Sequence, residues 1–328
     1  MGLGESNLNF RVSANRRKYI FRINMDPDSR DKTREEFGIL RTLEKFRLAP
    51  GAYHLDETRT SFEDSVLILG FVEGTSLDQR PSQIRKLQVV RNLAKVVARV
   101  NSISSENIYF KIRNRGSTYE SFIAQSKMHL NYVRSAGYSH KLDALIEVLD
   151  EAISSAENFV SKTEIPNVQV PCHGDPGAQN TILQSNSRIC LIDWESFGIW
   201  DPAAEIARIF YGFGIEFPAE RQKDFLLEYS KWRRDPSLAN RIELFKSLIL
   251  LDYLTWGLWH LVEIEQGRMH KAFIKATDLR KHFAYVKDCL EKCRACGLFA
   301  DDENLDGFNI EKAFGYRVQR GIIDEKEP

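Results

Sequence analysis

Three side chains in the second half of this sequence have the types and spacing to share one divalent cation and one reacting hydroxyl. Asp175 lies in Cys172-His173-Gly174-Asp175-Pro176-Gly177-Ala178-Gln179-Asn180, so an amide, Asn180, follows five positions later. A second carboxylate, Asp193, follows thirteen positions after that, in Leu191-Ile192-Asp193-Trp194-Glu195. Phosphoryl transfer from a Mg-nucleotide needs one carboxylate that orients the accepting hydroxyl and takes its proton. It also needs a second carboxylate and an amide oxygen that hold Mg²⁺ against the phosphates. The order assigns Asp175 to the first task and Asn180 and Asp193 to the second. Arg188 to Ile192 reads as a short buried strand that would deliver Asp193 at its carboxyl end.

The same order, Asp, Asn and a strand-end Asp, is that of the protein kinase set. His-Gly-Asp, four residues, Asn, then Ile-Asp-Trp-Glu and a downstream Asp201-Pro202-Ala203-Ala204-Glu205-Ile206-Ala207 resembles the aminoglycoside phosphotransferase and choline kinase superfamily. These are small-molecule kinases with a protein-kinase-like fold. The resemblance runs from Ser6 to about Gly267 and is firmest from Cys172 to Ala207. It implies an α+β, two-lobed fold with a small β-rich amino-terminal lobe and a larger, mainly helical carboxyl-terminal lobe. Residues 1–72 would form the nucleotide-binding lobe, 73–299 the catalytic and substrate lobe, and 300–328 a charged tail. The implied cofactors are Mg²⁺ and ATP or GTP. The implied partners are that nucleotide and a small hydroxylated substrate such as an aminoglycoside, a choline-like amine or a sugar.

Composition narrows the class. Lys plus Arg equals Asp plus Glu at 46 each, which gives no support for nucleic-acid or anionic-membrane binding. The longest apolar stretch, Ser247 to Ile264, contains Asp252, Gly257, His260 and Glu263 and reads as a buried helix, not a membrane span. Five cysteines, an odd number without a secretory signal, suggest reduced thiols in a cytoplasm. The oligomeric state is not legible.

The elements that must position the chemistry begin with a hairpin from Asn9 to Asn24. Phe10 and Val12 alternate, Ala14 to Arg17 supply the turn, and Tyr19, Phe21 and Ile23 alternate on the return, placing Ile20 and Arg22 on the other face. Arg22 reads either as an edge-strand cation facing water or, by the resemblance, as the cation that steadies the nucleotide phosphates. Asp31 to Phe46 then reads as an amphipathic helix with Phe37, Leu40 and Leu43 on one face. The resemblance makes Glu36 the partner of Arg22. After a strand at Val66 to Leu69, the backbone of Gly70, Phe71 and Val72 would meet the adenine edge. Pro81 to Val100 is expected to be one long helical region. Further helices are expected at Ser121 to Ser135, His140 to Phe159 and Arg241 to Glu265.

Around the loop, His173 is expected to order backbone in preference to acting as a base. Glu195 would reach substrate or metal-bound water, or cap a turn. Asp201 would cap the helix that Pro202 opens. Trp256-Gly257-Leu258-Trp259 resembles the segment whose indoles wall a quaternary ammonium in choline and ethanolamine kinases, with a buried-core role as the alternative. His282, Cys289, Cys293 and Cys296 share a broad helix face, but four ligands on one straight helix do not close a tetrahedron, so packing is expected.

The chain departs from the family pattern at four points. It has Glu205 where an Asp is usual, Asn101 where a His is frequent, and Gly174 where choline kinases carry Asn. Only Met1 to Asn7, with Gly2 and Gly4, precede the first expected strand, which suggests an abbreviated phosphate-covering loop. The alternative that this shortness raises is a binding module without turnover. A protein kinase fits worst: Asp-Trp-Glu replaces Asp-Phe-Gly and no Ala-Pro-Glu segment follows.

Overall fold

The computed structural model describes residues 2–3, 7–24, 30–104, 106, 118–166, 168–212, 216–268, 279–299, 308–314, 316–319 and 322–326. The chain forms two compact units, residues 1–117 with 167–242 and residues 118–166 with 243–328.

The first unit opens with a five-stranded antiparallel sheet. Its strands are β1 (Gly2–Leu3), β2 (Asn7–Ala14), β3 (Arg17–Asn24), β4 (Ala52–Asp56) and β5 (Ser65–Gly70), in the order β1-β2-β3-β5-β4. The β2–β3 turn places Asn15 and Arg16 at φ 50° and 62°. Positive φ at both central residues matches the twist of a two-residue hairpin. A two-residue strand thus precedes the first expected one, Gly2 facing Asn9 and Leu3 facing Leu8. Gly4 lies outside the described residues.

Helix α1 (Arg30–Lys45) follows β3. Thr33, Glu36, Ile39, Leu40, Thr42 and Leu43 are its buried positions, while Phe37 is only half-buried. Past β6 (Thr75–Ser76), the expected long helix is broken. Pro81–Arg85 forms a 3₁₀ turn, Lys86 is extended at ψ 120°, and α2 runs over Leu87–Asn101. The break frees the Lys86 carbonyl to receive the first amides of α2, from Val89 and Val90.

Helices α3 (Tyr119–Val133) and α4 (Ser139–Lys162) begin the second unit. The chain then returns to the first unit through β7 (Val170–Cys172), β8 (Thr181–Leu183), β9 (Ile189–Leu191), β10 (Gly198–Trp200), α5 (Pro202–Tyr211) and α6 (Ala219–Ser230). Here α2 packs on α6, and Phe210, Phe225 and Tyr229 fill the core. Helix α7 (Leu238–Glu265) carries the chain into the second unit, which adds α8 (Leu279–Ala295). Tyr119 stacks on Phe245 with centroids 4.1 Å apart, and Cys289 and Cys293 are buried with Phe283. No helix among the described residues is long and apolar enough to cross a membrane. A small β-rich part followed by a mostly helical remainder is the expected architecture.

Candidate active site

Strand register builds the first part of the site. Asn9 faces Arg22 across β2 and β3, and its Oδ1 accepts from Arg22 Nε at 2.9 Å. Arg22 is buried, and its Nη1 donates to Glu36 Oε1 at 2.9 Å and to Asp193 Oδ1 at 3.2 Å. Burial alone would push Glu36 well up, and Arg22 is the main opposing influence. Glu36 also accepts the Trp194 backbone amide. One carboxylate on α1 therefore ties together the cation of β3 and the turn that carries Asp193. Asp193 itself sits at φ 66°, ψ 70°, a left-handed conformation that Asp tolerates better than most side chains.

The loop after β7 supplies the rest. Asn180 Nδ2 donates to the Asp175 carbonyl at 3.0 Å and to Asp175 Oδ2 at 2.9 Å. Both partners are acceptors, so the amide orientation is fixed and Asn180 Oδ1 is the atom that can meet a cation. Asn180 leads into β8, whose Thr181 pairs with Leu191 of β9, and the Ile192 amide donates to the Asn180 carbonyl at 2.9 Å. That pairing places Asn180 beside Ile192 and Asp193. An amide oxygen with carboxylate oxygens is an all-oxygen donor set, the chemistry Mg²⁺ takes. Burial raises Asp175, while Arg208 and the Asn180 bond pull it back down.

His173 is fully buried, and both of its ring nitrogens are committed. Nε2 bonds the Ile192 carbonyl at 3.0 Å, and Nδ1 receives the Asp175 amide at 3.3 Å. Burial pushes its pKa down to about 4, so the ring is neutral at pH 7 with the proton on Nε2. Gly174 at φ +85° explains the missing Asn: a Cβ built there would lie 2.1 Å from the Ser196 carbonyl oxygen.

Two of the departures meet. Asn101 Nδ2 donates to Glu205 Oε2 at 2.8 Å, and Glu205 Oε1 accepts the His173 and Gly174 amides at 2.6 and 3.3 Å. Tyr229 donates its hydroxyl to Asn101 Oδ1 at 2.9 Å. Asp201 caps α5 through the Ala203 amide at 2.8 Å and also receives Arg241, which in turn bonds Asp235. Glu195 is exposed on the 3₁₀ turn Trp194–Ser196 and adds to the negative field on Arg22. The Gly70 and Phe71 amides donate to the Gly51 and Lys18 carbonyls at 2.7 and 3.3 Å.

Trp256 and Trp259 lie in the second unit, on α7. Trp256 stacks on His260 at 4.7 Å and Trp259 on His129 at 5.6 Å. Tyr132 meets the Trp259 ring edge-on and bonds Glu263, and the Arg268 guanidinium sits 5.0 Å over the Tyr132 ring.

Sequence reasoning missed Asn9, the Trp194 amide, Tyr229 and Arg241. Asn9 left a signal, a strand-disfavoured residue inside an alternating run. The Trp194 contact left none, because it is made by backbone.

The model of the APH phosphotransferase enzyme family matches residues 2–238. Similar solved structures include a spectinomycin phosphotransferase in complex with ADP and spectinomycin, 13% identical with a TM-score of 0.66, covering 91% of this chain and 92% of that one. A choline kinase from Streptococcus pneumoniae is 18% identical with a TM-score of 0.60, covering 90% and 92%. A choline/ethanolamine kinase family protein from Mesorhizobium loti is 19% identical with a TM-score of 0.58, covering 89% and 85%. No curated protein matches the sequence.

Proposed function

The chain belongs to the APH phosphotransferase enzyme family and is a small-molecule phosphotransferase with a hydroxyl acceptor; from that premise we propose how its residues divide the work. Asp175 orients the acceptor hydroxyl and takes its proton as the terminal phosphoryl group of ATP or GTP is transferred. Asn180 Oδ1 and Asp193 hold Mg²⁺, which supplies neutralisation of the phosphate charge. Arg22, steadied by Glu36 and Asn9, turns to the phosphates. The observation that carries this reading is Arg22 Nη1 shared between Glu36 and Asp193 at 2.9 and 3.2 Å, which joins the strand cation to the metal-binding carboxylate. With the Gly70 and Phe71 amides already bonded, the Val72 amide and the loop carbonyls are the groups that meet the adenine edge. His173 orders the loop through its two bonds, and Asp201 supports α5.

The division into a nucleotide-binding lobe to residue 72 and a catalytic and substrate lobe beyond it follows from these roles. Nothing in the family match supports the binding module without turnover. The free thiols, including Cys190 and Cys296, suit a cytoplasmic setting. For the acceptor, we infer a hydroxylated small molecule such as an aminoglycoside, a choline-like amine or a sugar.

The test is ADP formation from Mg-ATP with a panel of choline-like amines, aminoglycosides and sugars. ADP release stimulated by one of these acceptors and abolished by Asp175→Asn supports the reading. An Asp175→Asn protein as active as the parent, or no stimulation by any acceptor, overturns it.

A further inference from the structure

The five-stranded sheet presents two unlike faces. Successive residues of a strand point to opposite sides, so Arg22 and Asn24 share the face of α1, where they bond Glu36 and Thr33. The other face sets Leu8 opposite Ile23, Phe10 opposite Phe21 and Val12 opposite Tyr19, with Ile68 of β5 beside Phe21. On it β2, β3 and β5 place only uncharged side chains between Arg17 at one end and Asp64 at the other. Phe10, Tyr19, Phe21 and Ile23 are half-buried, while Val12, Tyr53 and Phe62 are 39%, 53% and 42% exposed. A bulge in β4 turns the Tyr53 ring edge-on to Tyr19 at 5.3 Å, and Phe62, from the β4–β5 loop, lies against Phe21 at 5.4 Å. The two ends of the face differ. At the β2–β3 turn, Arg16 and Arg17 rim a hollow of about 480 Å³ walled by Tyr19, Tyr53 and Gly70, and the carboxylate there, Glu73, is held by Lys18. At the opposite end the β4–β5 loop raises Phe62 next to Glu63 and Asp64. Glu57 of that loop is held by Arg34, and Arg59 is the loop's cation.

We propose that this face is an interface between two copies of the chain, related by a two-fold axis that lies in the plane of contact and runs across the strands. Such an axis reverses the strands of the second copy. Phe62 of each copy then enters the hollow of the other, and Glu63 and Asp64 meet Arg16 and Arg17. An axis along the strands would set like charges together instead. Two sheets meeting this way pack about 10 Å apart with their side chains interdigitated. At ordinary strand spacings the face measures about 25 by about 19 Å, so two copies bury on the order of 1,000 Å², the lower end for a specific interface. An apolar centre inside a charged rim is the anatomy of such a contact, and the size makes the dimer reversible. The interface uses none of the residues assigned to phosphoryl transfer, so its test stands apart from their roles.

Sedimentation equilibrium of the full chain, from about 1 to about 200 μM, reads the dimer directly. Phe62→Glu and Tyr53→Lys each put a charge into the contact at an exposed position. Each is expected to raise the dissociation constant about tenfold or more, with the circular dichroism spectrum and the melting temperature kept. If Phe62→Glu does not fold, Tyr53→Lys, at the more exposed position, decides. Arg17→Glu is expected to weaken the dimer about threefold or more at low salt. Adding Glu63→Arg is expected to restore it, because position 17 of one copy faces position 63 of the other. A monomer throughout the range overturns the proposal and leaves the face to a partner of another kind. A dimer that Phe62→Glu and Tyr53→Lys leave unchanged lies elsewhere on the chain and overturns it as well. So does a double variant no tighter than Arg17→Glu, since the crossed ends are what the hollow and the loop require.

Discussion

In the first unit Arg22 and Arg241 each lie between two carboxylates, whereas in the second His129 and His260 are buried against indole rings and kept neutral. Arg22 has Glu36 and Asp193; Arg241 has Asp201 and Asp235. Burial pushes His129 and His260 down to about 4, and the nearest carboxylate contact of His129, Asp252, is 3.9 Å away. The first arrangement costs desolvation and repays it with fixed geometry, which a reaction centre needs. The second keeps both rings uncharged near neutral pH by burial.

The largest expected effect breaks the comparison at its centre. Asp175→Asn and Asp193→Asn should each lower turnover by about a thousandfold in steady-state assays, while thermal melting shows a folded protein. Next, Arg241→Met leaves Asp201 and Asp235 without their cation and should cost about 3–5 kcal/mol in urea unfolding. The matching change in the second unit, His129→Gln, removes a neutral ring and should cost about 1–2 kcal/mol, so equal losses would dissolve the distinction.

Acidity sharpens it. A histidine held near 4 when folded and near 6.5 when unfolded gives stability that is complete above 6.5 and lost as pH falls toward 4. The first unit has the same liability in His173. However, its carboxylates Asp175, Asp201 and Glu205, raised by burial, take up protons sooner folded than unfolded, which adds stability as pH falls. Hydrogen exchange between pH 6.5 and 4.5, corrected for intrinsic rates, should show α3 and α7 losing protection before α2 and α5. The smallest expected change is Trp259→Phe, which keeps an aromatic face against His129 and should cost about 1 kcal/mol or less in urea unfolding.

Much of the first unit was legible because its chemistry obeys local rules. Alternation gave the β2–β3 hairpin and put Arg22 opposite Tyr19 and Phe21, and helical spacing gave α1. The 3₁₀ turn before α2 was not legible, since Leu87 onward continues the apolar period that Ile84 begins, and only the extended backbone of Lys86 interrupts it. The bond between the two departures from the family pattern was half legible. Asn101 and Glu205 stood out as departures, but their contact spans 104 positions and no local pattern encodes it. Asn9 could have been found by asking why an amide occupies a strand interior opposite a buried arginine.

The missing side chain at position 174 sets a boundary on how this sequence can change. The loop and the Ser196 carbonyl are so close that even a methyl group would collide with backbone, and backbone does not yield as a flexible side chain would. Any lineage exchanging that glycine would first have to shift the Trp194–Ser196 turn, and with it the carboxylate at 193. Drift at this position is thereby tied to the geometry of the reaction itself, and a one-step replacement there should be closed to neutral evolution.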